Sequence, residues 1–161
     1  VQHVGRPKLD NQTASELIMV GKVIPATPEE RRVQDVIKTC CGCLPCLLEN
    51  RIDIHATIQH VTECRKRVGQ WAVYGSCQWH HLGIEWPDRD FGWMLFRHGP
   101  SLAHNKKLFE ATYGRERLLV ELQAYMVGLY DLEPWQPFHV PVHVVRKVKS
   151  FWVKLIADQP N

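Results

Sequence analysis

An α+β fold, with several helices packed on a small antiparallel β-sheet in a single compact domain, is what this sequence predicts. Three observations predict it. ATPEERRVQDVIKTCCGC spaces its apolar residues helically behind a capping sequence. QWAVYGSCQWHHLGIEW and DFGWMLFRH are dense in aromatic and branched residues around the turn-forming PDRD. RERLLVELQAYMVGLYD carries an unbroken helical stripe. The 161 residues, 45% hydrophobic and 23% charged, supply the core of one domain.

In chain order, residues 1–25 read as an irregular arm with a short helical piece at ASELIMVG, and the domain is expected over 26–161. Thr27 is a natural N-cap, Pro28 suits a first helical turn, and Glu29 and Glu30 favour the positive dipole end. Val33, Val36, Ile37 and Cys40 then share a face, and Pro45 is expected to end or kink this helix. A second helix is expected from Asp53 through IHATIQHVTECRKR. From Gly69 the aromatic texture predicts strands. Ser101 is the expected cap of LAHNKKLFEATYG, and Leu118, Leu119, Leu122 and Met126 are expected along the buried side of the next helix. EPWQPFHVP reads as a Pro-broken loop, VHVVRKVKS as a strand and FWVKLIAD as a short closing helix. No internal repeat is present.

No run reaches the ~18 apolar residues needed to span a bilayer, and no charged-then-apolar signal segment opens the chain, so no membrane partner is expected. The chain opens on Val1, so a longer parent protein is expected. Six cysteines, two of them adjacent at Cys40 and Cys41, without a signal peptide predict a reduced, intracellular protein.

Five of the six cysteines lie between Cys40 and Cys64. Cys43, Cys46, His60 and Cys64 have spacing compatible with zinc. Yet the first cysteine pair follows a helix where a zinc finger has a hairpin, and Leu47, Leu48 and Ile54 fit a larger core equally well. The expectation is therefore inert, reduced core cysteines with no cofactor, less than about half an equivalent of zinc, and a fold that survives chelator. YGSCQW resembles the nucleophile stretch of papain-like proteases, with Cys77 as thiolate and His139 or His143 as base. A cysteine inside a strand-like run, however, lacks the helix dipole that lowers a thiol pKa. Cys77 and His80 can also be grouped with His98 and His104 around a metal, but the intervening lengths have no ligand rhythm. His80 and His81, if in a strand, would point to opposite faces, so at most one could serve such a site.

The formal charge of +3 is weakly basic, and its distribution says more. Arg65, Lys66 and Arg67 close the expected second helix. Lys106, Lys107, Arg115 and Arg117 flank the next helix junction, and Arg146, Lys147, Lys149 and Lys154 crowd the last 16 residues. A solvated face explains any one cluster, whereas three together predict a phosphate-binding surface for double-stranded DNA. Arg65, Lys66 and Arg67 are the leading contacts, since guanidinium can fork onto a base edge.

VIPATPEERRVQDVIKTCCGC followed by WAVYGSCQWHHLGIEWPDRDFGWMLFR resembles the central region of the foamy-virus (spumavirus) transactivators, Tas. The similarity covers roughly residues 22–100. It implies a sequence-specific DNA-binding domain of a transcriptional activator that acts on viral promoters in the host nucleus. It also implies contact with host transcription machinery through segments outside this chain, and it carries no catalytic residues. The sequence reading is thus a DNA-binding domain and not an enzyme. The alternatives are a cysteine protease built on Cys77 and a viral accessory protein that captures a host protein through a Trp-rich surface.

Overall fold

The computed structural model describes residues 25–53, 55–63 and 66–159. Among them are seven α-helices, one π-helical turn and four short strands, so the α+β expectation holds. The expected arm, apart from Pro25, lies outside the described residues.

Helix α1 (Pro28–Val36) begins as its sequence dictates. Thr27 Oγ1 accepts from Glu30 N at 3.2 Å and the Glu30 carboxylate accepts from Thr27 N at 2.7 Å, a reciprocal cap. The helix widens into a π turn (Ile37–Cys41) that stops at Gly42, φ 75°. Gly42 thus ends the helix instead of Pro45, because a side chain at that φ would be strained. Pro45 sits in the first turn of α2 (Leu44–Leu48), where its missing N–H costs nothing. The Pro-broken loop covers the π turn: Trp135 Nε1 donates to Cys40 O at 2.8 Å and Phe138 N to Thr39 O at 2.7 Å.

The helix expected from Asp53 does not form. Thr57–His60 is β1, Thr62–Glu63 β2 and Lys66–Arg67 β3. Thr57, Ile58, Val61 and Thr62 are branched at Cβ, and that stiffness suits a pleated strand better than a helix. β1 pairs antiparallel with β4 (Val73–Ser76), from Thr57 opposite Ser76 to His60 opposite Val73. β2 and β3 make a separate exposed ribbon. The outer edge of β4 is capped by α6, whose Gln123 Oε1 accepts from Gly75 N at 3.0 Å.

The aromatic region is strand only over β4. Gln78–Leu82 is α3, with Cys77 at its N-cap, and Phe91–His98 is α4. Asp90 caps α4, accepting from Trp93 N at 2.8 Å, and Met94 and His98, one turn apart, are both buried. The aromatic density here marks burial, not a pleat. α5 (Lys106–Tyr113) is capped by Asn105 in place of Ser101, whose Oγ accepts from His104 N in the preceding turn. α6 (Glu116–Leu132) buries Leu118, Leu119, Leu122 and Met126 as expected. Val142–Ala157 is one continuous helix, α7, where a strand and a short helix were expected. The valines suggested a strand, yet Val144 and Val148 lie one helical turn apart and both are buried.

The main core joins α1, the π turn, α2 and β4 to α5, α6 and α7; Tyr125 and Phe151 stack across α6 and α7 at 4.3 Å. A second, smaller cluster holds Cys43, Cys46, Cys77, Trp79 and Met94. Gly75 is where the two-stranded sheet meets the π turn. A Cβ there would collide with the carbonyl oxygen of Gly42 and press on Ile37, and a backbone atom cannot swing aside. Gly75→Ala is expected to cost about 1–3 kcal/mol in a urea unfolding midpoint. Gly69→Ala, with nothing within 4 Å of its added carbon, should cost far less.

Candidate functional site

The three cysteines of the small core cluster, with His80, form a candidate metal-ligand set. Cys43 and Cys46 flank the start of α2, Cys77 caps α3 and His80 lies in its first turn. His80 Nδ1 is 3.4 Å from Cys43 Sγ, 3.4 Å from Cys46 Sγ and 3.2 Å from Cys77 Sγ, and the Cys46 and Cys77 sulfurs are 3.9 Å apart. All four residues are buried. A zinc tetrahedron with Zn–S of about 2.3 Å and Zn–N of about 2.0–2.1 Å has S···S edges near ~3.8 Å and S···N edges near ~3.5 Å. Four of the six donor–donor distances lie near those edges, and all four donors lie within 4.8 Å of one another.

The imidazole is set for the role. His80 Nε2 lies 2.8 Å from His98 O, an acceptor only, so Nε2 carries the proton and Nδ1 presents its lone pair to the sulfurs. Burial pushes the Cys43 thiol well up, whereas hydrogen bonds from Cys43 and Cys46 pull Cys77 down and make it the first to ionise. The donor chemistry and spacing fit a zinc ion.

The next residue serves a different place. His81 is half-buried, and its Nδ1 is 2.8 Å from Thr57 Oγ1 on β1. Thr57 spends its only hydroxyl proton on Ser76 O at 2.9 Å, so it accepts from His81 Nδ1–H. That leaves His81 Nε2 with a free lone pair. Burial, and then the charge of His60, hold the His81 pKa below its ordinary 6.5, which keeps the ring neutral. Along the same strand face, Gln59 Nε2 donates to Glu116 Oε2 at 3.2 Å, and Lys106 Nζ donates to Glu116 Oε1 at 2.6 Å. Glu116 is buried and Lys106 is exposed. A neutral imidazole, an amide and a lysine therefore border one polar surface.

The basic residues are brought together in part. Lys66 and Arg67 lie on the exposed β3, and Arg65 is outside the described residues. Arg117, at the start of α6, pairs with Glu63 of β2, which ties the ribbon to the junction carrying Lys106, Lys107 and Arg115. Arg146, Lys147 and Lys149 sit on α7, with Lys149 Nζ 2.6 Å from Asn50 Oδ1. The protease arrangement is not assembled: Cys77 is held by Cys46 and His80, while His139 and His143 are exposed and His143 faces Glu133 at 3.6 Å.

The zinc set weighed from the sequence is also replaced. His60 Nε2 meets Gln70 Oε1 at 3.1 Å, away from the sulfurs, and Cys64 is outside the described residues. Cys40 and Cys41 do sit in the main core as expected. Cys43, Cys46 and Cys77 sit in a core too, but around an imidazole nitrogen. The signal for this was present. Cys43-x2-Cys46 and Cys77-x2-His80 are two equal knuckles 30 residues apart, missed because the first was grouped with His60 and Cys64 and the second with His98 and His104. The His81 pairing had no such signal, since it depends on β1 being a strand.

No curated protein and no solved structure matches the chain. Residues 26–128 match the family described as "Recombination enhancement, RecA-dependent nuclease". This match does not bear on the transactivator resemblance, whose stretch it overlaps. It does overturn the expectation of a protein that is not an enzyme, because the family is described by an enzymatic activity. With well over half its length matched, the chain belongs to the RecA-dependent nuclease family.

Proposed function

We propose that this chain hydrolyses phosphodiester bonds in DNA, with the His81 face as its catalytic centre and the Cys43, Cys46, Cys77 and His80 cluster as a structural zinc site. The observation that carries it is the His81 tautomer. Thr57 holds Nδ1–H, so the free Nε2 is a ready proton acceptor or cation ligand beside Gln59 and Lys106. Phosphodiester cleavage needs a positioned base and positive charge near the scissile phosphate. A divalent cation, when bound with the DNA phosphate, would supply Lewis acidity there. The chain's own part is to accept a proton or offer a ligand at His81 Nε2, with Lys106 as the nearby cation. Lys66, Arg67, Lys107, Arg115 and Arg117 are the cations proposed to meet the DNA backbone. Double-stranded DNA is the proposed partner through these residues.

The family description adds dependence on RecA. The test is cleavage of a plasmid by the purified chain with magnesium, with and without RecA filaments formed on a matching oligonucleotide. Strand breaks are expected in the RecA-containing reaction and at most traces without it. Intact plasmid under both conditions, from folded protein, would overturn the reading.

A further inference from the structure

A cleft of about 1000 Å³ opens beside the proposed catalytic face and shares Thr57 with it. Arg51, Asp53, His55, Trp86 and His98 are among its lining residues. Three observations bear on what it takes. Trp86 presents its indole there, 41% exposed, and sits 4.3 Å from the His98 ring and 6.4 Å from Trp93. His98 is only 5% exposed, yet its Nε2 has no hydrogen-bond partner, and buried Arg51 Nε has none either. A buried polar atom without a partner is costly unless something else meets it. Third, the cleft has no spare cation: Arg51 pairs with Glu49 and donates to Arg97 O, while Asp53 brings a carboxylate to the same cleft.

An aromatic-walled cleft without a spare cation suits a flat neutral group with donors and acceptors on its edge. It does not suit a phosphate, which the Asp53 carboxylate would repel. Resting on the nuclease reading above, we propose that this cleft receives one unstacked nucleobase of a single-stranded DNA segment. The base lies against Trp86, its edge reaches the polar groups of Asp53, Arg51 and His98, and its backbone passes Thr57 toward His81. The substrate is then DNA with an unpaired stretch next to the cut, since a base inside a duplex cannot leave its stack without opening the pair. Base-on-aromatic stacking is tolerant of sequence, so the cleft selects for unpaired character and not for one base.

The test is binding of a short single-stranded oligonucleotide carrying one 2-aminopurine. It is read by quenching of that base with zinc-replete protein and no added magnesium, so it does not depend on cleavage. Quenching is expected with the unaltered chain. Trp86→Ala should bind roughly 5- to 100-fold more weakly, and Trp86→Phe within about threefold of the unaltered chain. Phe96→Ala, at a ring 90% exposed and outside the cleft, serves as the control and should change nothing. Circular dichroism confirms that each variant is folded; should Trp86→Ala not fold, Trp86→Phe and the competition arm decide. An abasic oligonucleotide of equal length and charge should compete poorly. Equal competition by it, or unchanged binding by folded Trp86→Ala, would overturn the proposal. A chain that quenches the base through Trp86 yet never cuts DNA would sink the nuclease reading and leave the base site standing.

Discussion

The purified chain is expected to contain about one equivalent of zinc and to lose helical signal when the metal is withdrawn. Cys77→Ser protein should be largely unfolded. The size of the effect follows from where the ligands sit. Cys43, Cys46, Cys77 and His80 are each no more than 3% exposed, and they join α2 to α3 with few other large side chains in their cluster. Three thiols crowded around one imidazole, without a cation, leave any thiolate that forms there buried and without a countercharge. A bound zinc ion removes that cost, and structural zinc in small domains contributes an apparent ~10–16 kcal/mol. A domain's whole stability is about 5–15 kcal/mol, so the loss cannot be absorbed. Metal analysis with circular dichroism in a strong chelator checks this. Less than about a fifth of an equivalent of zinc, with an unchanged spectrum in chelator, would restore the reading of these cysteines as inert core.

His81→Ala should lower DNA cleavage by about 10²–10⁴-fold while zinc content and DNA affinity stay near those of the unaltered chain. The side chain is half-buried and outside both core clusters, so its removal should leave the fold intact. Thr57 is a positioning residue in this scheme, because it acts by holding one nitrogen of His81. Thr57→Val removes the acceptor for Nδ1–H and should cost about 10–100-fold, and Thr57→Ser should recover most of it. A role for Thr57 in strand packing alone would reverse that order, since Val is the better strand former. If His81→Ala retained more than half of the cleavage rate, the catalytic face would have to be sought elsewhere.

The sequence was most legible where local chemistry and tertiary packing agree. The Thr27–Glu30 cap and the stripe of α6 can be read off the chain because each satisfies its own backbone or its own buried face. Legibility failed where one residue type serves two structures. The valines of α7 look like a strand until Val144 and Val148 are counted a turn apart, and the aromatics of α4 look like a strand until Asp90 is seen as a cap. The site was half legible. Two knuckles of equal spacing point to a metal, but only the fold brings α2 and α3 together around it. The polar surface at His81 needs contacts from β1, α3, α5 and α6 at once, and no spacing in the chain encodes that.

His80 and His81 are neighbours on a helix of five residues, one bound into the sulfur cluster and the other held by Thr57. One extra residue between them would turn His81 by 100° about the helix axis, the angle set by 3.6 residues per turn, and carry it off Thr57. One fewer would merge the two roles in a single ring. No insertion or deletion at this point is therefore neutral, however easily the loops on either side change length. In descendants of this chain the two histidines are expected to be kept together, side by side, or lost together.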